Sequence, residues 1–255
     1  MRLAVVGAAA LGLAACGGGN GGDSRLPTAA RGAAPTGAST QPLERVEDVI
    51  ARLRGAATAE SCEAVKGLMH SLYGEMSDPA CLTVRSMLGE LGDPRGEIHG
   101  TGAVVSYTAS GRRRIAVLAL DADRHFHVDF IDDATGGSGP LAAAGFTASA
   151  RRVVRAMQRG DCDTFLRHVH RSIGLGVGGD GVVCRRVTDE PIRRELVADP
   201  GILPEPLGGN GQVAFFRLRT APDRLYTMVM TTQDPRAARV PGASRYVLVN
   251  ALPAQ

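Results

Sequence analysis

The chain has 255 residues, which is enough for one large domain or two small ones. Hydrophobic residues make up 44% of it, so a buried core is possible, although there is no Trp and aromatic residues are only 4%. The formal net charge is +3 and the longest arginine run is Arg112-Arg113-Arg114, which argues against a nucleic-acid-binding protein. That run could contact anionic lipid headgroups, but a solvated hairpin tip accounts for it more simply.

The N-terminus has the pattern of an export signal. Arg2 precedes an apolar run, residues 3–13, which is too short to span a bilayer of roughly 30 Å as a helix. The run ends at Leu13-Ala14-Ala15-Cys16, which resembles the lipobox of bacterial lipoproteins. The resemblance implies a signal peptide of residues 1–15, a diacylglycerol on the sulfur of Cys16, and a lipid anchor on the extracytoplasmic face of the cell membrane. An ordinary secretory signal with a chance cysteine is the alternative.

The segment after Cys16 is expected to be a tether. Residues 17–42 consist mostly of Gly, Ala, Pro, Thr and Ser and show no hydrophobic periodicity, so they cannot bury enough apolar surface to fold. As a flexible coil of about 26 residues, the segment would span roughly 28 Å on average. We therefore predict that residues 16–42 form a lipidated cysteine and a disordered linker to the membrane.

Residues 43–133 are predicted to form a first α+β domain. Apolar residues at helical spacing indicate three helices, the last ending at Gly92-Asp93-Pro94. Alternating strands then follow, and helices that precede an antiparallel meander favour an α+β fold. In the last strand, Phe126, Val128 and Phe130 are expected to share the core face. The predicted strands are residues 103–107, 114–120 and 125–130.

The second half repeats the first. Residues 134–146 are rich in turn formers and are predicted to be a linker, followed by a second domain at 147–255 with its elements in the same order. In both domains a cysteine, Cys62 or Cys162, is followed directly by an acidic residue. A histidine lies eight residues after each cysteine, at His70 and His170.

Tandem repeats of helices that feed a curved antiparallel sheet resemble the nuclear-transport-factor-two-like, or SnoaL-like, superfamily. Exported actinobacterial lipoproteins with a Gly-Asp-Cys turn and tandem copies are similar. In that superfamily the helices close one side of a cone whose sheet lines a pocket, and the fold serves enzymes, carriers and inert scaffolds. The resemblance therefore implies two cone-like domains without fixing an activity.

Four cysteines remain besides Cys16, and export would place them where disulfides persist. Three pairings are possible, and the repeat favours Cys62 with Cys81 and Cys162 with Cys184. Each bridge would join the second helix to the segment before the third. A zinc site is the rival interpretation, but no CxxC spacing supports it.

Five side chains are weak candidates for a pocket. His70 and His170 match in position and suggest a general base, but each is also expected to end a helix, where an imidazole faces the negative end of the macrodipole. His125, His127 and Asp129 fall on one strand face, as metal ligands or a polar pocket wall would. Strand alternation with one solvated face explains the same pattern without a site.

A glycine-rich stretch at residues 174–179 fits GxGxxG literally. It follows a predicted helix instead of a strand, so the context of a dinucleotide site is missing. We expect a loop there and no nucleotide cofactor.

The function expected from the sequence is a membrane-anchored, non-enzymatic module that binds a small molecule or an envelope protein, without a cofactor, metal or nucleic acid. The alternatives are an acid–base enzyme of the SnoaL or ketosteroid-isomerase kind and a purely structural envelope protein. Because the acidic residues cluster in predicted turns, we expect no buried, hydrogen-bonded carboxylate–histidine pair and a ligand held by apolar contact. The sheet positions expected to line the two cores are Val104, Ile115, Val117, Phe126, Val128, Phe130, Phe216, Leu218, Leu225, Tyr226 and Val247.

Overall fold

The structure is a computed structural model that describes residues 44–70, 76–134, 140–170, 191–237 and 240–254. The expected signal peptide, Cys16, the tether, the 174–179 loop and Cys184 lie outside these residues. The described chain is α+β, and helices precede each of two four-stranded antiparallel sheets. Within this part of the chain, no helix is both long and apolar enough to cross a membrane.

The first unit contains three helices and then one sheet. Its elements are α1 (Val46–Thr58), α2 (Glu63–Lys66), α3 (Asp78–Leu88), β1 (Gly92–His99), β2 (Gly102–Ala109), β3 (Arg112–Leu120) and β4 (Phe126–Asp133). Its strands pair in the order β1-β2-β3-β4.

The second unit repeats this order. Its elements are α4 (Pro140–Arg159), α5 (Cys162–Arg167), α6 (Pro191–Ala198), β5 (Glu205–Gly209), β6 (Val213–Ala221), β7 (Arg224–Thr232), a 3-10 turn (Pro235–Ala237) and β8 (Tyr246–Ala254). Its strands pair in the order β5-β6-β7-β8. Helix α4 begins inside the stretch that was expected to be the linker.

The first strand of each sheet was not predicted from the sequence. Gly92-Asp93-Pro94 looks like the end of a helix, but it opens β1, and β5 contains a comparable Pro and two Gly. Both strands lie at a sheet edge, where a proline need not donate to a neighbouring strand. The sequence signal is weak because Gly and Pro are poor strand formers elsewhere.

The first predicted disulfide is present. Cys62 bonds to Cys81 with a Cα–Cα distance of 5.8 Å and so ties the start of α2 to α3. Cys81 lies within α3, not before it, because Pro79 occupies the first turn of that helix instead of breaking the chain. Cys162 is also disulfide-bonded, but Cys184 is not among the described residues, so the second pairing stays a prediction.

A bulge in β4 changes which side chains face the helices. The register shifts opposite Val117 and Leu118, which leaves Asp129 as an extra residue in β4. Phe126 and Val128 pack under the helices as expected, whereas Phe130 packs on the other side of the sheet. The expectation that Phe130 shares their face is therefore wrong, because the bulge reverses the alternation after Val128.

The two sheets pack face to face, and helices cover their outer faces. Val104, Ile115 and Val117 were expected to line a core under the helices, but they lie against the second sheet. Phe216 and Leu218 do pack under the second unit's helices. The layers are therefore helix, sheet, sheet and helix. The buried apolar residues between the sheets are Val104, Ile115, Val117, Ala119, Val213, Phe215, Val229, Val249 and Leu252.

The sheets approach each other closely at Gly102. A Cβ atom on Gly102 would lie 2.1 Å from Cδ1 of Phe215, an aromatic ring that is fully buried. We expect Gly102→Ala to lower the free energy of unfolding by about 1–3 kcal/mol, because a buried ring has no free space to move into. Urea denaturation of the purified protein measures this change.

The matched control is Gly55→Ala in α1. A Cβ atom there would meet nothing within 4 Å, so alanine should raise the free energy of unfolding by up to about 1 kcal/mol through its higher helix propensity. Equal stability of the Gly102→Ala protein and the parent would contradict the close sheet–sheet contact.

Candidate functional site

The matched histidines lie beyond the helices that precede them. Helix α2 ends at Lys66 and α5 ends at Arg167, whereas His70 and His170 lie on short segments that extend the sheets. The His70 N–H donates to the carbonyl of Val128 at 3.0 Å, and the His170 N–H donates to that of Leu248 at 2.8 Å. The expectation that these histidines end helices is therefore wrong. Each one covers the outer edge of a final strand.

His70 forms a buried pair with a carboxylate. Its Nδ1 lies 3.7 Å from Oδ2 of Asp121, and the two side chains are 2% and 10% exposed. Burial lowers the pKa of His70, while the negative charges of Asp121 and Asp129 oppose that shift. The sequence predicts that no buried, hydrogen-bonded carboxylate–histidine pair exists, and this contact does not overturn that prediction because 3.7 Å is longer than a hydrogen bond.

Polar contacts also cross between the two units. The side-chain amide of Asn250 donates to Oδ1 of Asp129 at 2.9 Å, and Asp129 is only 3% exposed. His170 packs edge-on against Phe130, with ring centres 5.3 Å apart, and its Nε2 lies 4.0 Å from Oδ2 of Asp132. The solvated face proposed for Asp129 is thus a buried contact with the second unit.

These side chains form one group where β4 meets β8, which we call the interface cluster. Its members are His70, Asp121, Asp129, Asp132, His170 and Asn250. Sequence analysis selected three of them. It missed Asp121, which only the fold of the first unit brings to His70, and it missed Asp132 and Asn250, which only the packing of the two units brings to His170 and Asp129.

The other two candidate histidines point to different partners. Nδ1 of His125 lies 3.3 Å from Oε2 of Glu44, and Nε2 of His127 lies 2.8 Å from Oδ2 of Asp123. Among the described residues, no group of three or more His, Cys, Asp or Glu side chains has an arrangement that could hold a metal ion. The face shared by His125, His127 and Asp129 in sequence therefore does not become a metal-ligand set in this part of the chain.

Glu44 is a buried carboxylate that joins α1 to β4. It accepts two hydrogen bonds from Arg52, at 3.0 and 2.8 Å, and one from the Phe126 N–H at 2.6 Å. Arg52 also donates to the Phe126 carbonyl. This network satisfies the charge that burial would otherwise penalise, and we assign it a structural role.

The second unit makes the corresponding connection with different residues. The Ser149 hydroxyl donates to the Tyr246 carbonyl at 2.5 Å and lies 2.9 Å from Nδ1 of His168. Because the hydroxyl has only one proton, it accepts from His168, which must carry a proton on Nδ1. Burial lowers the pKa of His168, as do the charges of Arg152 and Arg167, so the imidazole is neutral.

One groove lies on the outer surface of the first unit. It has a volume of about 510 Å³ and runs between α1 and the start of β1. Its lining combines the apolar side chains of Ile50, Ala51 and Pro94 with two acidic and two basic side chains. The four charged residues are Glu47, Arg54, Asp93 and Arg95. They are exposed, and none forms an ion pair with another described residue.

The lowered pKa of His168 predicts a pH dependence of stability. The unfolded chain binds its proton near the ordinary value of 6.5, whereas the folded chain does so only at lower pH. The contribution of neutral His168 to the free energy of unfolding is therefore complete above pH 6.5. It is lost as the pH falls from there towards the pKa of His168 in the folded protein. His168→Gln should reduce the loss of stability on acidification, as measured by urea denaturation above and below pH 6.5.

A second variant separates titration from the loss of the hydrogen bond to Ser149. Arg152→Gln keeps that bond and removes a charge that lowers the pKa of His168, so it should reduce the acid-dependent loss in part. If neither variant differs from the parent in its pH dependence, then His168 does not contribute to the acid sensitivity.

Comparison with known proteins adds no relative to this description. No family model, no curated protein and no solved structure matches the chain. The functional argument therefore rests on the sequence patterns and on the geometry of the described residues.

Proposed function

We propose that the protein is an extracytoplasmic lipoprotein, anchored through Cys16, whose folded body binds a partner protein without catalysing a reaction. The anchoring part of the proposal is supported by Leu13-Ala14-Ala15-Cys16 and by the Gly-rich segment that follows it. A SnoaL-like, cone-shaped origin of each unit belongs to the same proposal. It is supported by the element order and by the cysteine pattern.

The packing of the sheets favours a protein partner over an apolar small molecule. The side chains expected to line a pocket are in contact with other side chains, either under the helices or between the sheets. The three positions Val104, Ile115 and Val117 are at most 2% exposed. A carrier of the expected kind needs an apolar cavity, and in the described residues these faces are filled.

The groove between α1 and β1 is the observation that carries the binding proposal. A mixed set of unpaired charges beside apolar side chains suits a polypeptide segment that carries both signs of charge. Strand β1 pairs with β2 only, so no described strand covers its other edge. An extended segment could add to that edge with main-chain hydrogen bonds, while its side chains contact Arg54 and Arg95.

An acid–base enzyme is the second candidate, and the pair of His70 and Asp121 favours it. The pair is buried and its imidazole is neutral, as a general base requires. Catalysis also requires that a substrate reach the imidazole. Rapid modification of His70 by diethyl pyrocarbonate in the folded protein would favour the enzyme, and protection would favour a structural role.

A purely structural envelope protein is the third candidate. The filled faces of both sheets are compatible with it, since a scaffold needs no cavity. It differs from the leading proposal in requiring no partner at the α1–β1 groove.

The anchor is tested by Cys16→Ser. Without its sulfur the chain cannot receive a diacylglycerol, so we expect the protein to leave the membrane fraction or to keep its leader. Fractionation and intact-mass measurement of the parent and the variant check this. An unchanged fraction, together with no acyl mass on the parent, would overturn the anchoring proposal.

Partner binding is tested with a photocrosslinking residue in place of Ala51, which lines the groove. We expect one specific crosslinked protein from the envelope, and loss of that product when Arg54→Glu and Arg95→Glu reverse the positive charges of the groove. The matched control carries the crosslinker at Ala148, an exposed position on α4. The same product from both positions, or an Ala51 product that survives the charge reversal, would contradict binding in the groove.

A further inference from the structure

Helix α4 presents a row of arginines to solvent. Arg151, Arg152, Arg155 and Arg159 are all exposed, whereas Val153, Val154 and Met157 on the opposite face are buried. Their spacing places the four guanidinium groups along one face over about 12 Å of helix. The 20 residues of α4 contain no acidic side chain. The exposed face of this helix is therefore purely cationic, and we call it the α4 arginine face.

In the described chain the charges of this face are offset only at its C-terminal end, where the charge of Arg159 helps to lower the pKa of Asp161. None of its four arginines takes part in an ion pair with any residue that the structure describes. The nearest acidic residues in the chain, Asp161 and Asp163, follow the helix, and Asp161 accepts a hydrogen bond from the Thr164 N–H. Besides burial, the charges of Arg152 and Arg167 lower the pKa of His168, which shows that this side of the second unit carries a positive field.

The corresponding helix of the first unit shows that the fold does not require such a face. Helix α1 has Glu47 and Asp48 in its first turn, and its Arg52 is bound to Glu44. Only Arg54 adds an exposed positive charge within α1. Since both helices perform the same packing role under their sheets, the arginines of α4 are in excess of what packing needs.

We propose that the α4 arginine face docks on the anionic headgroups of the membrane that anchors the protein. Guanidinium groups pair well with phosphate, and each cation near an anionic bilayer adds to the attraction. The apolar face of α4 is already buried in its own unit, so the contact is a surface contact without insertion. Small exposed residues, Ala143, Ala144 and Ala148, let the first half of the helix lie flat on the same plane.

The lipid surface is favoured over other polyanions by proximity, and this step rests on the anchoring proposed above. A flexible tether of about 26 residues would hold the body at an r.m.s. distance of roughly 28 Å from the bilayer. At that distance the effective concentration of headgroups is high, so weak individual contacts suffice for docking. The same charge on a protein without an anchor would give only weak binding.

Docking through α4 would also orient the binding groove. Helices α1 and α4 cover opposite outer faces of the two packed sheets. With α4 against the membrane, the groove between α1 and β1 faces away from it, where an envelope protein can reach it. In this orientation the anchor and the α4 arginine face hold the protein on the membrane, and the groove stays accessible to a partner.

The test uses the chain from residue 16 onward with Cys16→Ser, so that neither an acyl chain nor the apolar leader contributes to binding. Its partition is measured by sedimentation with phosphatidylcholine vesicles, with and without phosphatidylglycerol. We expect binding that depends on phosphatidylglycerol and weakens with added salt. Combined Arg151→Gln, Arg155→Gln and Arg159→Gln should weaken it at least about tenfold. Glutamine is nearly as good a helix former as arginine, and circular dichroism checks the fold.

The control protein loses the same charge elsewhere, through Arg112→Gln, Arg113→Gln and Arg219→Gln, which are exposed and lie outside α4 and the groove. It should bind within about twofold of the parent, because contact and not net charge carries the attraction. Equal weakening of both triple variants, an unaffected α4 variant, or equal binding to vesicles without phosphatidylglycerol would overturn the proposal.

The vesicle measurement and the anchor measurement test separate claims, so a negative result in one does not affect the other. Because the vesicle assay uses the unlipidated chain, its result does not depend on whether Cys16 is acylated in the cell. Absence of acyl mass on the native protein would remove the anchor and leave the vesicle result standing, whereas a negative vesicle result would leave the anchor intact.

Discussion

The face-to-face packing of the two sheets is the constraint on which the rest of the structure depends. Each fully buried Val, Leu or Phe side chain contributes about 1.5–3 kcal/mol, and nine buried apolar residues fill the space between the sheets. An exposed ion pair such as Arg217 with Glu205 contributes at most about 1 kcal/mol. The apolar contact therefore dominates. It requires both faces of each sheet to be apolar. It also requires a glycine at position 102, because the Phe215 ring packs against the backbone there.

The same packing explains why polar groups of the two units meet. Equivalent bulges in β4 and β8 leave Asp129 and Val249 as the extra residues of their strands. The carboxylate of Asp129 is thereby buried at the junction, where Asn250 of the other unit donates to it. A second aspartate in place of Val249 would bring another buried charge into the same interface. The two units therefore fit together because one has an aspartate and the other a valine at the bulge, so that only one charge is buried there.

The outer layers carry the features that we connect with function. On one side, α1 and β1 form a groove lined by both signs of charge. On the other side, α4 presents arginines alone. The inner layers are nearly symmetric because packing fixes them, whereas the outer faces are free to differ because solvent tolerates any charge. The two units therefore differ in their exposed helix faces, and these faces are the basis of both proposals.

The helix and strand types and the repeated order follow from the sequence, because hydrophobic periodicity is a local property of the chain. The repeat also favoured the Cys62–Cys81 bridge among three possible pairings, and the structure contains it. Sequence analysis missed β1 and β5, whose Pro and Gly are permitted only because these strands lie at sheet edges. It also placed Phe130 on the wrong face, since one bulge reverses the strand alternation. Tertiary structure alone decided the interface cluster: His70 meets Asp121, and Asp129 meets Asn250, across sequence separations that no local pattern encodes. Which face of a sheet packs against the other sheet depends on how well the two whole surfaces fit. That fit depends on residues from both units.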